Sequence, residues 1–254
     1  MGKLLLFNAI LIGIIAAGLW LVKKYVTKER TRTLLLALVA VFTVLFHYSA
    51  FFIELLTGGD AVGHLRQNPN LILPIYPCNI VMWLALLFPF VKNKKARFGA
   101  FLSDYLFWFG VLSTLVGMFA NVDFIQNPTL ADYANIKSIG AHATLLFNVL
   151  LLPFFGYVKV DVWRNTAHIA LAVLGMAVVG GYCNLVFAAV GSQEMAYNIN
   201  SMFLLHSPFA GVPFLTYPVI ALIAIPFYFV VFLLCDVCIH KKGERFFNKR
   251  RGAR

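Results

Sequence analysis

The sequence predicts an all-α integral membrane protein with seven transmembrane helices. Of its 254 residues, 61% are hydrophobic and 12% are charged, whereas soluble domains are about half apolar and about a quarter charged. Seven apolar stretches reach the roughly 20 residues that a helix needs to cross a bilayer. This apolar content excludes a disordered chain. An open sheet is excluded because its edges would stay unpaired in lipid.

The spans are separated by short basic or polar connections, which set their limits in chain order. The first is kept as a helix and not read as a signal peptide, because its basic pair Lys23-Lys24 follows the apolar run. No soluble domain or long linker interrupts the chain, so we expect one transmembrane domain over residues 1–254. The seven predicted spans are residues 4–22, 34–56, 71–91, 98–120, 139–158, 166–190 and 212–239.

The basic residues predict the orientation of this bundle. Eighteen of the 21 Lys and Arg residues fall in the first, third and fifth connections and in the C-terminal tail. By the positive-inside rule this side is cytoplasmic, so the N-terminus faces out and the C-terminus faces in. The formal charge of +11 therefore indicates membrane topology, and no nucleic-acid partner is expected.

Polar side chains inside the predicted spans concentrate in the outer half of the membrane. Such residues are costly in lipid and usually face the bundle interior. His47 and Glu54 are seven residues apart and share one helix face. Asp104, His168 and Asp236 fall in the inner half, and for the last two we expect Lys or Arg partners. His47 is expected near mid-membrane, and Glu54, Cys78, Asn79, His142 and Asn184 are expected in the outer part of their spans. The loop before the seventh span adds Asn200 and His206.

The third span contains a cysteine at a predicted helix break. Pro77 disfavours helix at Tyr76 but suits the first position of a helix, so the regular helix is expected to begin at Pro77 and to leave 71–76 unwound. Cys78 then lies in the first turn, where free N–H groups favour a thiolate. With His142 at a similar depth, a nucleophile–base pair becomes available. The alternative is an ordinary buried cysteine behind a proline kink.

No metal or cofactor site is expected from the sequence. Cys235 and Cys238 form a single C-x-x-C pair, which has too few ligands for a structural zinc site. Packing at a helix end explains this pair more simply.

The motifs around Cys78 and His142 resemble those of the YwaF-like family of bacterial integral membrane proteins. The resemblance rests on the Leu-Pro-x-x-x-Cys region at 73–78, on His142 early in its span, and on the stretch 198–205 followed by His206-Ser207-Pro208. It implies a multi-pass protein of the plasma membrane. It also implies a relationship to eukaryotic membrane proteins that move fatty-acyl chains between phospholipids, with Cys78 as nucleophile and His142 as base.

Two functions from different classes remain open at this point. The first is a lipid acyltransferase or transacylase, in which Asn79 and Asn184 donate to the oxyanion while His47, Glu54, Asn200 and His206 line the outer mouth or bind a headgroup. Its partner is a membrane lipid as substrate. The alternative is a non-catalytic small-solute permease or ligand-binding membrane protein, since broken helices beside polar groups are typical of transporters. An assembly role in a larger membrane complex is a third hypothesis.

Overall fold

The computed structural model describes residues 2–67, 69–119, 129, 131–207, 211–214, 216–241 and 244–246. Within these residues every regular element is helical. The chain divides into two compact units, Met1–Val158 and Lys159–Arg254.

Among its described residues, the first unit contains seven α-helices and a π-helical turn. The π-helical turn, Tyr105–Phe109, joins α5 to α6 without a break in the chain direction. Two short 3-10 turns, Pro69–Leu71 and Phe88–Phe90, flank α4. The helices are α1 (Gly2–Tyr25), α2 (Glu29–Thr57), α3 (Ala61–Gln67), α4 (Pro77–Leu87), α5 (Arg97–Asp104), α6 (Gly110–Phe119) and α7 (Tyr133–Phe154).

The described part of the second unit contains two long helices and one short one. The 3-10 turn Ser201–Phe203 follows the short helix. The helices are α8 (Val162–Val190), α9 (Gln193–Ile199) and α10 (Tyr217–Ile239).

Six helical segments in the described chain are long and apolar enough to cross a membrane. They are α1, α2, the continuous segment Arg97–Phe119, α7, α8 and α10. The predicted third span, 71–91, is helical only from Pro77 to Phe90 and falls short of the length of a span. The predicted span 139–158 is shifted towards the N-terminus, because Asp132 caps α7 by accepting from the Ala134 N–H at 2.9 Å and starts the helix at Tyr133.

Helices α2 and α7 pack antiparallel over their whole length. Three side-chain hydrogen bonds between them keep one register. Tyr133 Oη donates to Ser49 Oγ at 2.6 Å, and Thr43 Oγ1 donates to Thr144 Oγ1 at 3.1 Å. Near the other end, Asn148 Nδ2 donates to the Leu36 carbonyl at 3.0 Å.

Just beyond the far end of this pair, the Tyr157 hydroxyl donates to the Glu29 carboxylate. Burial together with Glu29 raises the pKa of Tyr157 above its ordinary value. The two helices are therefore tied from the start of α2 to its last two turns.

The segment α5–α6 also runs antiparallel to α7. Ser103 Oγ donates to the Tyr157 carbonyl at 3.0 Å, and Gly117 lies against the ring of His142 near the other end. Helix α1 contacts α6, since Asn8 Nδ2 donates to the Met118 carbonyl at 2.8 Å. Because α2 and α5–α6 both oppose α7, they are parallel to each other.

Within the second unit, α8 and α10 are antiparallel. The Tyr217 hydroxyl at the start of α10 donates to the Val173 carbonyl in α8. The Trp163 ring at the start of α8 lies 5.9 Å from the Phe229 ring in α10. The beginning of α8 and the end of α10 therefore lie at the same end of this unit.

Candidate functional site

Helix α4 begins at Pro77 after an extended residue, which confirms the predicted break. Tyr76 has φ −120° and ψ 155°. The Tyr76 N–H donates to Asn79 Oδ1 at 3.1 Å, which fixes the first turn. Before this point, Ile72 N and Leu73 N both donate to the Pro69 carbonyl. Leu71 ends the 3-10 turn, and residues 72–76 are not helical. Cys78 is consequently held in the first turn of a short helix.

Cys78 is partly exposed and reduced, while its neighbour Asn79 is 3% exposed. Helix α4 packs against α2, α6 and α7, so the thiol belongs to the same helix group as His142. The Asn79 oxygen is used in the helix cap, which leaves the NH₂ group as the end that can donate to an oxyanion.

His142 is oriented by its own helix and by α6. Its Nδ1 lies 2.8 Å from the Ser138 carbonyl oxygen. Because a carbonyl only accepts hydrogen bonds, this contact assigns the proton of the neutral ring to Nδ1 and leaves the lone pair on Nε2. A Cβ at Gly117 would lie 2.2 Å from Nε2 and from Cδ2, so the absent side chain of Gly117 makes room for the ring.

His47 lies on α2 within electrostatic range of Lys137 and His142. Its Nε2 is enclosed and has no hydrogen-bond partner among the described residues, while its ring packs edge-on against Tyr48 at 5.2 Å. Lys137 was not among the site residues predicted from the sequence. Its place one turn and a half before His142 on α7 was a signal that could have included it.

The first unit thus brings His47, His142 and Cys78 onto three neighbouring helices. No hydrogen bond joins the Cys78 thiol to the His142 imidazole in the described part of the chain. What the arrangement offers is a sulfur nucleophile at a helix end and an imidazole whose Nε2 is the basic atom.

Glu54 lies in the last turn of α2, apart from this cluster. Its carboxylate lies against Gly59, and its carbonyl accepts from the N–H groups of Gly58 and Gly59. It therefore belongs to the helix end that leads into α3.

Asn184, Asn200 and His206 belong to the second unit, where the two asparagines hold one loop. Asn184 Oδ1 accepts from Ser201 N at 2.8 Å, and its Nδ2 donates to the Ser201 carbonyl at 3.3 Å. Asn200 Oδ1 accepts from Leu205 N at 2.9 Å, and its Nδ2 donates to the His206 carbonyl at 2.8 Å.

This loop has an unusual backbone. Asn200, Met202 and Phe203 have φ values of 47°, 53° and 58°, which non-glycine residues rarely adopt. Left-handed residues of this kind persist where surrounding contacts over-determine them, and they cluster at functional sites. The His206 ring closes the loop, with Nε2 2.9 Å from the Tyr197 carbonyl and its plane against the Tyr197 ring at 4.5 Å.

The inner-half residues have local structural surroundings. Asp104 is fully buried directly before the π-helical turn. Asp236, for which a Lys or Arg partner was expected, accepts from His240 Nδ1 at 2.8 Å and from the Phe246 N–H at 2.8 Å. No cluster of three or more His, Cys, Asp or Glu side chains among the described residues is arranged to hold a metal ion.

Comparison with known proteins identifies a family. The model of the TMEM164 family matches residues 3–236, which include every candidate site residue. No curated protein and no solved structure matches the chain significantly.

Proposed function

The chain belongs to the TMEM164 family of membrane proteins, and from that premise we propose that it is a membrane-embedded lipid acyltransferase or transacylase. The observation that carries the proposal is the seating of His142, whose Nδ1 is bonded to Ser138 and whose Nε2 is left as the base. This base lies in the same helix group as the helix-end thiol of Cys78.

In the first step, Cys78 Sγ attacks the carbonyl carbon of a fatty ester while His142 Nε2 takes the thiol proton. Ionisation of a partly enclosed sulfur is unfavourable because the thiolate loses solvation. We therefore propose that His142 removes the thiol proton during the attack. The helix end alone had suggested a thiolate formed before the attack. The ester C–O bond breaks, the leaving alkoxide takes the proton from His142, and the acyl chain stays on sulfur as a thioester.

In the second step, His142 removes a proton from the hydroxyl of an acceptor lipid, and that oxygen attacks the thioester. The C–S bond breaks and the thiolate recovers the proton. The Asn79 NH₂ group donates to the oxyanion in both steps, a contribution of about 2.7–4 kcal/mol per donor in comparable sites. His47 lies within electrostatic range of both Lys137 and His142.

The topology that we propose for this enzyme has seven crossings in the plasma membrane, with the N-terminus outside. Helices α2 and α5–α6 are parallel, so the chain between them has to cross the membrane once. Segment 71–90, built from an unwound stretch and a short helix, supplies that crossing inside the helix group. The YwaF-like resemblance supports a location in the plasma membrane. The basic connections support the orientation with the N-terminus outside.

The test is acyl transfer by the purified protein in vesicles that contain a phospholipid with a labelled acyl chain and an unlabelled lysophospholipid. We expect label on Cys78 that hydroxylamine removes, and label in the acceptor. Cys78→Ala abolishes both, whereas His142→Asn slows both. The matched control is Cys235→Ala, another partly exposed cysteine, which keeps the wild-type rate. Unchanged transfer by Cys78→Ala would overturn the proposal.

One observation favours the permease or ligand-binding alternative. Buried Asp104 is followed at once by a π-helical turn, and such turns inside helices are frequent at functional sites. In this alternative Asp104→Asn abolishes solute accumulation by cells, while Cys78→Ala leaves it intact.

A further inference from the structure

The end of the second unit at which α8 begins and α10 ends carries an ordered aromatic group. The Phe246 ring, beyond the end of α10, lies 5.7 Å from the Trp163 ring and 6.4 Å from the Phe229 ring. Trp163 remains 51% exposed. Tryptophan is enriched at the level of lipid headgroups, where one side of the ring meets apolar surroundings and the other meets water.

A buried carboxylate holds the chain against this aromatic group. Asp236 is 5% exposed, and its two oxygens accept from His240 Nδ1 and from the Phe246 N–H, each at 2.8 Å. Arg245 Nε donates to the His240 carbonyl at 3.2 Å. The chain after α10 therefore folds back onto the helix end, which keeps Lys241 and Arg245 beside it.

Basic residues outnumber acidic ones at the same end, and most of the surplus lies in the C-terminal part of the sequence. Lys159 and Lys241 are exposed, and Arg164 and Arg245 are half-buried. Three acidic groups lie at this end: Asp161 and Glu244 are exposed, and Asp236 is enclosed. Asp161 accepts from the backbone N–H of Arg164 at 3.0 Å. In the sequence the chain continues with further basic residues, Lys249, Arg250, Arg251 and Arg254.

From this arrangement we infer that the end of the second unit binds the headgroups of anionic phospholipids. Both helices that meet here are apolar and long enough to span a membrane, so their common end lies at the level of the headgroup phosphates. Each Lys or Arg near an anionic membrane surface contributes about 1 kcal/mol. The Trp163 ring and the Asp236 contacts keep Lys241 and Arg245 at the level of the headgroup phosphates. Headgroup binding at this end depends neither on the proposed reaction at Cys78 nor on which face of the membrane is cytoplasmic.

The experiment compares the full-length protein with a triple variant, Lys159→Gln, Lys241→Gln and Arg245→Gln. A matched control removes three cations from the first connection, with Lys23→Gln, Lys24→Gln and Lys28→Gln. Each protein is titrated in detergent micelles with phosphatidylglycerol or phosphatidylcholine, and bound lipid is counted by native mass spectrometry.

We expect the wild-type protein to prefer phosphatidylglycerol. The three lost charges should weaken its binding about 10- to 100-fold, while the control triple stays close to wild type and phosphatidylcholine binding does not change. The inference is overturned if the wild-type protein shows no preference between the two lipids. It is also overturned if both triple variants lose phosphatidylglycerol equally, because the effect would then be one of total charge.

Discussion

At the scale of single residues, the imidazole of His142 depends on a glycine in another helix. Its Nε2 and Cδ2 lie 2.2 Å from the place that a Cβ of Gly117 would occupy. A methyl group there has to push the ring away, while the Nδ1 contact with Ser138 pulls it back. The orientation of the proposed base is therefore set by the absence of a side chain.

Gly117→Ala should lower acyl transfer about a hundredfold, since a displacement of about 1 Å can have that effect on a positioned catalytic group. The measurement is the rate of label transfer in vesicles, with the amount of folded protein checked by gel filtration. Gly13→Ala in α1 is the control, because a Cβ there meets nothing within 4 Å. An unchanged rate in Gly117→Ala would mean that the His142 ring does not act as the base.

Asn79 has a structural task beside its proposed chemical one. Its oxygen accepts from the Tyr76 N–H and so closes the first turn of α4. Asn79→Ala should fray that turn at a cost of about 1 kcal/mol and raise the rate at which maleimide labels Cys78, followed by mass spectrometry of the Cys78 peptide. Asn79→Asp keeps an acceptor oxygen and should label at the wild-type rate. Equal rates for Asn79→Ala and wild type would show that the cap does not hold the turn.

At the scale of elements, two neighbouring glycines of α8 differ in what they face. A Cβ at Gly180 would lie 2.7 Å from the Met202 side chain and 2.8 Å from Leu204 Cδ1, whereas a Cβ at Gly181 meets nothing within 4 Å. Gly180 thus lets the left-handed segment around Met202 lie directly on the helix.

The two alanine substitutions should change stability in opposite directions. Gly180→Ala overpacks the loop and should cost about 1–3 kcal/mol. Gly181→Ala should gain up to about 1 kcal/mol, because alanine favours helix over glycine. Thermal unfolding in detergent, read as the melting temperature, separates them. A shift of the same sign in both variants would mean that the loop does not pack on Gly180 as described.

The elements also show what could be predicted from the sequence. Pro77 affects the backbone of its immediate neighbours only, so the start of α4 could be predicted from the local sequence. The seating of His142 against Gly117 did not, because it depends on how α6 and α7 align, and no local pattern encodes that register. The same holds for the loop at Asn200, whose left-handed residues are fixed by Asn184 from another helix.

At the scale of the whole molecule, hydropathy located the apolar helices, but it could not assign the passage of the chain at 71–91. By length the segment Pro77–Phe90 is too short to span. The direction of its neighbours carries the missing information, since α2 and α5–α6 both run antiparallel to α7. A hydrophobicity scale evaluates each segment separately, so it carries no information on the relative directions of neighbouring helices.

That relation makes a prediction about the two connections on either side of α4. If segment 71–90 crosses the membrane, Asp60 and Lys94 lie on opposite faces. If it enters and returns, both lie on one face, and α2 and α5–α6 would run in opposite directions. In cells, Asp60→Cys and Lys94→Cys are labelled with a membrane-impermeant maleimide, in a background that carries Cys78→Ala, Cys235→Ala and Cys238→Ala because these three cysteines are at least partly exposed. We expect labelling from outside at position 60 alone, and at position 94 only after the membrane is opened, because the proposed orientation puts the basic third connection on the cytoplasmic side. Labelling of both positions from the same side would contradict the seven crossings, while labelling at 94 alone would keep the crossings and reverse the orientation.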